Sequence, residues 1–426
     1  MTFSFPVFFR KIFLEFKSEL RSYFLVRKIL FLTILVMFSV VCFSTMGLSG
    51  RPLFNKVNIG FNVVLAFFCL LYCFLYGSFS IGVYVILIVL FNFVTLISYA
   101  LNGFSTFSST ALTVGIVSIA FFQFLNNSPF NKKTALFFSE LGVLGFLAYF
   151  FVVYFHDIIH PSISSSSRIG TYFGNQNDVG RYLSFALLYT FYFAFFKKMY
   201  FLYLPVVLAF YFIVLTGSIS NLLTVYFVLA AFFLIFLKKK GRLLFVLGNV
   251  LIVIIILFAL QLPALSYFKT RLLSMASSLF GNDNSVEDSS FEHRFELAFE
   301  AFYLFFQKPL FGGGFGAVQA DSFVHTFAHN NYAELCADFG IFGLIFGEAI
   351  LFYPLMKGRG KTDDLHFFTF LVCIYIVFFQ IFLVSYYSKM EYFSLAFAFA
   401  GLTNSVGFEF SPRQGTSTTK LIISAK

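Results

Sequence analysis

"FSIGVYVILIVLFNFVTLISYAL", residues 79–101, holds no charged side chain. As a helix rising 1.5 Å per residue, a run of roughly 20 such residues crosses the ~30 Å hydrocarbon core of a bilayer. Lipid offers the backbone no hydrogen-bond partners, so a helix, which pairs its own N–H and C=O groups, is the expected form. Apolar runs of about 17 to 25 residues, the length of one crossing, recur along the chain. They lie at 29–47, 59–77, 79–101, 108–126, 134–155, 179–196, 200–217, 221–237, 243–263, 332–356, 367–386 and 390–406. The sequence therefore predicts an all-α polytopic membrane protein with about twelve transmembrane helices. Composition agrees: 59% of the 426 residues are hydrophobic and 11% charged, more apolar surface than a soluble domain could bury. The five cysteines all fall in apolar stretches, which argues against a disulfide framework or a zinc site.

Charge distribution sets an expected orientation. With the N-terminus inside, the cytoplasmic segments collect 20 of the 29 basic residues, among them Arg10, Lys11, Lys132, Lys133, Lys238, Lys239 and Lys240. Eight lie outside and Arg181 lies within a span. Both ends are thus expected in the cytoplasm. The net charge of +10 is then mostly an orientation signal and calls for no nucleic-acid partner. Five segments follow. Residues 1–28 read as a basic interfacial helix, without a signal-peptide cleavage site. Residues 29–263 form a first bundle of about nine spans with an external loop at 156–178, and 264–331 form a large external loop. Residues 332–406 hold the last three spans, and 407–426 a cytoplasmic tail.

The large loop contains "SSFEHRFELAFEAFYLFFQKP", in which Ser289 and Glu292 have capping-box spacing. Phe291, Phe295, Phe299, Phe302 and Phe306 then recur at helical steps, with Glu292, Glu296 and Glu300 on a second face. An amphipathic helix ending at Lys308–Pro309 is expected, lying on the membrane surface or over a cavity between the spans. "GGGFG" at 312–316 reads as a flexible turn.

"HTFAHNNYAELCADFGIFG", residues 325–343, carries the densest polar chemistry. Ionisable groups at membrane depth are costly, which makes them candidates for function. On a helix His325 and His329 would share a face, as would Glu334 and Asp338. Histidine supplies a base at neutral pH, and Asn330 supplies amide donors. The plainer readings are an interfacial His329 bonded to a neighbouring loop and a structural Asp338. Arg294 could simply snorkel to headgroups. Arg181 and Glu140 stand within spans, where each could be the other's partner.

Three stretches together resemble a known family. "SSRIGTYFGNQNDVG" (166–180) resembles the arginine-led Asn-x-Asn signature of the O-antigen polymerases (Wzy type) and O-antigen ligases. "EHRFELAFEAFYLFFQKPLFGGGFG" (292–316) resembles that superfamily's arginine-opened helix ending in Pro-Leu-x-Gly-x-Gly. "HNNYAELCADFGIFG" (329–343) is similar to its His-Asn signature with a distant Gly-x-x-Gly. The resemblance implies a GT-C-like, lipid-dependent, metal-independent glycosyltransferase without a cofactor, working on the outer face of the bacterial inner membrane. Its substrate would be an undecaprenyl-diphosphate-linked oligosaccharide; other partners would be membrane lipids and, in some systems, a chain-length regulator. By the resemblance, His329, Arg294 and Arg168 are the catalytic candidates, with Asn330, Glu334, His325, Asn175 and Asn177 binding substrate.

Ligases of this kind resemble one another in a Ser/Thr-Arg-Gly/Ala step, where this chain has "LTGSISNLL" with Ile219 at the arginine's place. That departure favours a polymerase over a ligase. A flippase or other transporter would show repeated halves and binding residues near the midplane, neither of which the sequence displays.

Overall fold

The computed structural model describes residues 24–47, 52–76, 79–103, 109–128, 132–159, 175–237, 289–322, 325–358, 364–384, 386, 388–402 and 409–410, with isolated positions between 246 and 273. Most of the N-terminal basic helix, the ninth expected span at 243–263, Arg168 and nearly all of the C-terminal tail lie outside the described residues.

Helix stands at the other eleven expected places. In chain order these are α1 Phe24–Gly47, α2 Pro52–Tyr76, α3 Val83–Leu101, α4 Ser109–Asn126 and α5 Lys132–Val153, then the short α6 Phe155–Ile159. There follow α7 Gln176–Phe196, α8 Tyr203–Leu215, α9 Ile219–Leu237, α10 Ser289–Gln307 and the short α11 Ala317–Asp321. The last are α12 Asn331–Gly358, α13 Asp364–Phe379 and α14 Lys389–Leu402. By length and composition six helices can cross a bilayer: parts of α1, α2 and α5, and all of α3, α7 and α12. Four shorter apolar helices accompany them. Phe67, Phe93 and Val152 are each more than half exposed. A surface of that kind suits lipid, and the architecture is that of a polytopic membrane protein.

Close approach and aromatic filling hold the bundle together. A Cβ on Gly142 of α5 would sit 2.4 Å from the Ser39 carbonyl oxygen of α1. Ser39 also donates a hydrogen bond to the Phe138 carbonyl. This is small-residue packing of the kind membrane helices use, where dispersion and hydrogen bonds replace the hydrophobic effect. Between α1 and α4, Phe38 stacks on Phe121 at 4.1 Å and Phe31 on Phe124 at 4.3 Å.

The helices alternate in direction. At one end, here the lower, Arg27 of α1 donates to the Tyr72 hydroxyl and the Asn127 carbonyl, both at 3.1 Å. That joins the start of α1 to the ends of α2 and α4. At the upper end Asn102, the cap of α3, accepts from Lys308 Nζ at 2.6 Å and donates to the Gly312 carbonyl at 3.0 Å.

The α10 helix forms where its capping and periodicity predict, with the phenylalanine face outward and a small-residue face packed inward. Leu297 and Ala301 are buried against Val318, Ala328, Ala333 and Ala337. Phe295, Phe299, Phe302 and Phe306 stand exposed. Small side chains let α10 approach α12 closely, and the rings are left on the side a bilayer would cover.

The glycine turn is also different from its expectation. Instead of hanging free, 309–316 is stitched into a break in α12. Gly340 adopts φ 67°, ψ −164° and ends one helix within the 28-residue element. The freed groups find partners across the crossing: Gly313 N–H donates to Ala337 O at 2.8 Å and Gly314 N–H to Asp338 O at 2.9 Å. In return Ile341 N–H donates to Pro309 O at 2.8 Å. A Cβ on Gly340 would lie 2.4 Å from the Leu310 carbonyl, and one on Gly312 would lie 2.3 Å from Asp338 C.

The break folds α12 back on itself. Leu335, on the first segment (331–339), lies 3.2 Å from a Cβ built on Gly347 of the second (341–358). Asn331 Nδ2 reaches Glu348 Oε1 at 3.5 Å. The segment after Gly340 then descends beside α3. Ser98 Oγ donates to Asp338 O at 2.9 Å, and Gly347 lies against Phe91. Seven residues separate Ser98 from Phe91, so Asn331 starts its helix roughly 10 Å below the level of Ser98.

The last two helices explain the space. Among the described residues α13 has 16 residues and α14 has 14, against expected runs of 367–386 and 390–406, and helix is absent from 380–384, 386 and 388. At 1.5 Å per residue both fall short of the ~30 Å core, so the turn between them lies sunk inside the bundle. Its backbone is paired there: Asn331 N–H donates to Gln380 O at 2.8 Å, and Tyr386 N–H to Asn331 Oδ1 at 2.9 Å.

Candidate active site

The sunken turn lies against the start of α12, where Asn330 and Asn331 bond its backbone. The His-Asn pair lies directly before the first segment of α12. Helix begins only at Asn331, so His325 and His329 do not share a helical face. Both sit in the preceding loop with left-handed backbones, φ 49° and 53°. Such a conformation costs a residue with a Cβ about 1–2 kcal/mol, and here the surroundings must hold it.

Those surroundings are visible. Asn330 Oδ1 accepts from Ala333 N–H at 3.0 Å, which caps α12, and its Nδ2 donates to Ile381 O at 3.3 Å. Glu334, fully buried, accepts the Ala328 N–H at 2.7 Å, one residue ahead of His329. Its other oxygen has no hydrogen-bond partner among the described residues. Asn330 and Glu334 therefore clamp the backbone on either side of the imidazole.

His329 is partly buried. Burial, then the Arg294 guanidinium, push its pKa down to about 4, while Asp178 pulls the other way. Arg294 of α10 and Asp178 of α7 thus lie within electrostatic reach of one imidazole. With its pKa below 6.5, the ring is neutral at pH 7 with a free lone pair. By the same shift, stability is lost as pH falls from 6.5 through 4, where the unfolded chain binds the proton first. We expect His329 to remain open to diethyl pyrocarbonate, read by peptide mass, at about pH 5, where an ordinary histidine is mostly protonated. Arg294→Ala should shift that titration upward; identical curves for the two proteins would contradict the pairing.

Asp178 also binds Arg181 at 3.0 Å, and Arg181 stands 3.9 Å from Glu391 of α14. The buried arginine is therefore held by these two acids and not by Glu140. Asp338 has a structural use, the plainer of the readings its position allowed. Its oxygens accept from Gly316 N–H (3.1 Å), Ala317 N–H (3.0 Å) and the Tyr386 hydroxyl (2.5 Å). Tyr386→Phe removes the hydrogen bond to a carboxylate, worth about 1.5–3 kcal/mol. A lower melting temperature with the His329 titration unmoved is the expected result; an unchanged melting temperature would argue against this use of Asp338.

The remaining candidates are more peripheral. His325 is exposed, its Nδ1 3.3 Å from Gln319 O. Asn175 caps α7 by accepting from Asn177 N–H at 2.9 Å. Asn177 Oδ1 accepts from Ser218 Oγ at 3.0 Å, and its carbonyl accepts from Asn221 Nδ2 at 2.9 Å. This joins α7 to α9 at Ile219, which is itself buried. The structure thus brings together His329, Asn330, Glu334, Arg294 and the first turn of α7. Asp178 was missed in the sequence although it adjoins the Asn-x-Asn stretch. Tyr386 and Gln380 carry no local signal, because their role comes from a turn that only the fold brings to Asn331.

The arrangement can hold an anion by Arg294 beside a neutral imidazole. The family model described as O-antigen ligase matches residues 204–346, which run from α8 into α12 and include Arg294 and His329. No curated protein matches the chain.

Proposed function

We propose, from the premise that residues 204–346 carry the domain of the O-antigen ligase and polymerase superfamily, that this protein is a surface-polysaccharide polymerase. Members of that superfamily are glycosyltransferase-like enzymes acting on lipid-linked glycans. The reading taken here is extension: a glycan leaves one undecaprenyl diphosphate and joins the next lipid-linked repeat unit, at the outer face of the bacterial cytoplasmic membrane. The observation that carries it is the neutral His329 held beside Arg294 by Asn330 and Glu334.

In the proposed step an acceptor sugar hydroxyl attacks the anomeric carbon of the donor glycan. The new C–O bond forms as the bond from that carbon to the diphosphate oxygen breaks. The electron pair leaves with the diphosphate, and the hydroxyl proton passes to the imidazole of His329. Arg294 pairs with the diphosphate and offsets its growing charge. A bound diphosphate also offsets the Arg294 charge felt by His329, so the base strengthens when the donor arrives. Arg168 is a second candidate for the diphosphate. Asn175 and Asn177, at the start of α7, would border the acceptor. Ile219 supports extension over ligation, since a buried aliphatic side chain occupies the place of the ligases' arginine.

Deleting the gene in its host and sizing the surface glycan tests this reading. Glycan stopped at one repeat unit, restored by wild type but not by His329→Ala or Arg294→Ala present at equal levels, is the expected result. Long chains accumulating on the lipid carrier would indicate a ligase. Single units trapped on the cytoplasmic side would indicate a flippase.

A further inference from the structure

The ring of His329 makes no hydrogen bond among the described residues, and the Arg294 guanidinium repels a proton placed on it. A base in that position needs a counter-charge of the protein's own, one that stays when the diphosphate departs. The acids nearby divide clearly. Glu334 is fully buried and holds the Ala328 N–H, and Asp338 takes three donors. Glu391 is buried against Arg181. On α10, Glu296 meets His293 at 3.2 Å and Glu300 stands six residues past Arg294. Asp321 and His325 are exposed, and Tyr386 donates to Asp338. Asp178 differs from all of these. It lies within electrostatic reach of the ring, and its side chain is 39% exposed. Its Oδ1 meets Arg181 at 3.0 Å, and its Oδ2 has no partner among the described residues.

The fold also fixes where that carboxylate stands. Arg181 Cζ lies 5.8 Å from the centre of the Phe379 ring, and the next residue, Gln380, accepts the Asn331 N–H. Ile381 accepts from Asn330, the residue after His329. The sunken turn thus touches both the first turn of α7 and the chain that carries the imidazole. Arg181 is held on its other side by Glu391 at 3.9 Å. Asn177, beside Asp178, is tied to Ser218 and Asn221 of the α9 side, so this turn of α7 cannot swing away. We propose that Asp178 is the counter-charge of the base, pairing with the imidazolium that His329 becomes, while Arg181 and Glu391 hold the carboxylate in place. Asp178 acts through His329 and is a positioning residue. The acceptor's O–H bond breaks, the new N–H bond forms on the ring, and Asp178 stays ionised throughout. The inference rests on the reading of His329 as the base, but its first test does not use turnover.

The full chain in nanodiscs is treated with diethyl pyrocarbonate across a pH series, and modification of His329 is read by peptide mass. The series is run in the Arg294→Ala background, where the guanidinium no longer holds the ring's titration down. Adding Asp178→Asn should move the midpoint about one pH unit lower, a roughly tenfold loss of proton affinity, as expected for removing an adjacent opposite charge. Asp178→Glu should stay near the parent. Equal melting temperatures guard against misfolding, and Asp178→Glu keeps the test open if Asp178→Asn is unstable. In the otherwise native chain, Asp178→Asn should lower kcat about three- to tenfold and move the acid limb of its pH profile downward. Coincident titrations with and without Asp178 would overturn the proposal. So would a lower kcat with the acid limb unmoved, which would make Asp178 a structural partner of Arg181 only. A midpoint that moves as expected in a chain that extends no glycan would leave the pairing standing and remove the polymerase reading instead.

Discussion

Replacing His329 by alanine should lower kcat by about 10²- to 10⁴-fold, the range supplied by a positioned general base. The protein itself should remain folded. His329 lies in a loop ahead of α12 and does not hold the bundle: the clamps on that loop are Asn330 to Ala333 and Ile381, and Glu334 to Ala328. Removing the imidazole takes away a strained, partly buried side chain, and alanine keeps the same backbone requirement at φ 53°. The loss should therefore appear in turnover, with donor binding intact. Glu334→Ala gives the companion result. A methyl group cannot accept the Ala328 N–H, so the loop loosens and kcat falls less than in His329→Ala. Single-turnover rates with a lipid-linked donor separate the effects. A His329→Ala protein that keeps its rate but loses donor affinity would make the imidazole a binding group and contradict its role as base.

Replacing Gly340 by alanine should remove the folded protein from the membrane. Its φ of 67° with ψ −164° belongs to a region nearly confined to glycine, costing of order 1–3 kcal/mol for another residue. A methyl group there would also lie 2.4 Å from the Leu310 carbonyl. Backbone cannot step aside as a side chain can. Relieving the clash pulls 309–316 away, and Ala337 O and Asp338 O lose the Gly313 and Gly314 N–H groups. Each buried group left unpaired costs about 1–3 kcal/mol. The sum rivals the whole stability of many domains. Gly312→Ala meets the same crossing from the other side, and the pair should not add, because either one already breaks the contact. Membrane-fraction yield and melting temperature check this. A well-expressed Gly340→Ala protein with an unchanged melting temperature would show that the crossing is not what closes the upper end.

The helices were legible because their apolar runs are long and carry few charges, as in "FSIGVYVILIVLFNFVTLISYAL". The His-Asn stretch was legible for the opposite reason, polar groups set in an apolar run. Two features were not. The fold-back of α12 depends on Gly340 meeting Leu310, a partner 30 residues away. A glycine inside an apolar run looks the same whether the helix continues or reverses. The depth of the site was missed with it. The sequence places the polar cluster at the boundary of lipid and water, whereas the short α13 and α14 sink Asn331 roughly 10 Å below the level of Ser98. On α10 the phenylalanine spacing marks a face correctly, but spacing cannot say that Leu297 and Ala301 are the residues that pack.

The central claim is that this single chain extends a lipid-linked glycan. Purified protein in vesicles, supplied only with lipid-linked repeat units, tests it by the length of the product. The account requires chains of two or more units with release of free undecaprenyl diphosphate, abolished in His329→Ala. Repeat units left single until a lipid A core is added, and then transferred to it, would contradict the account and make the protein a ligase.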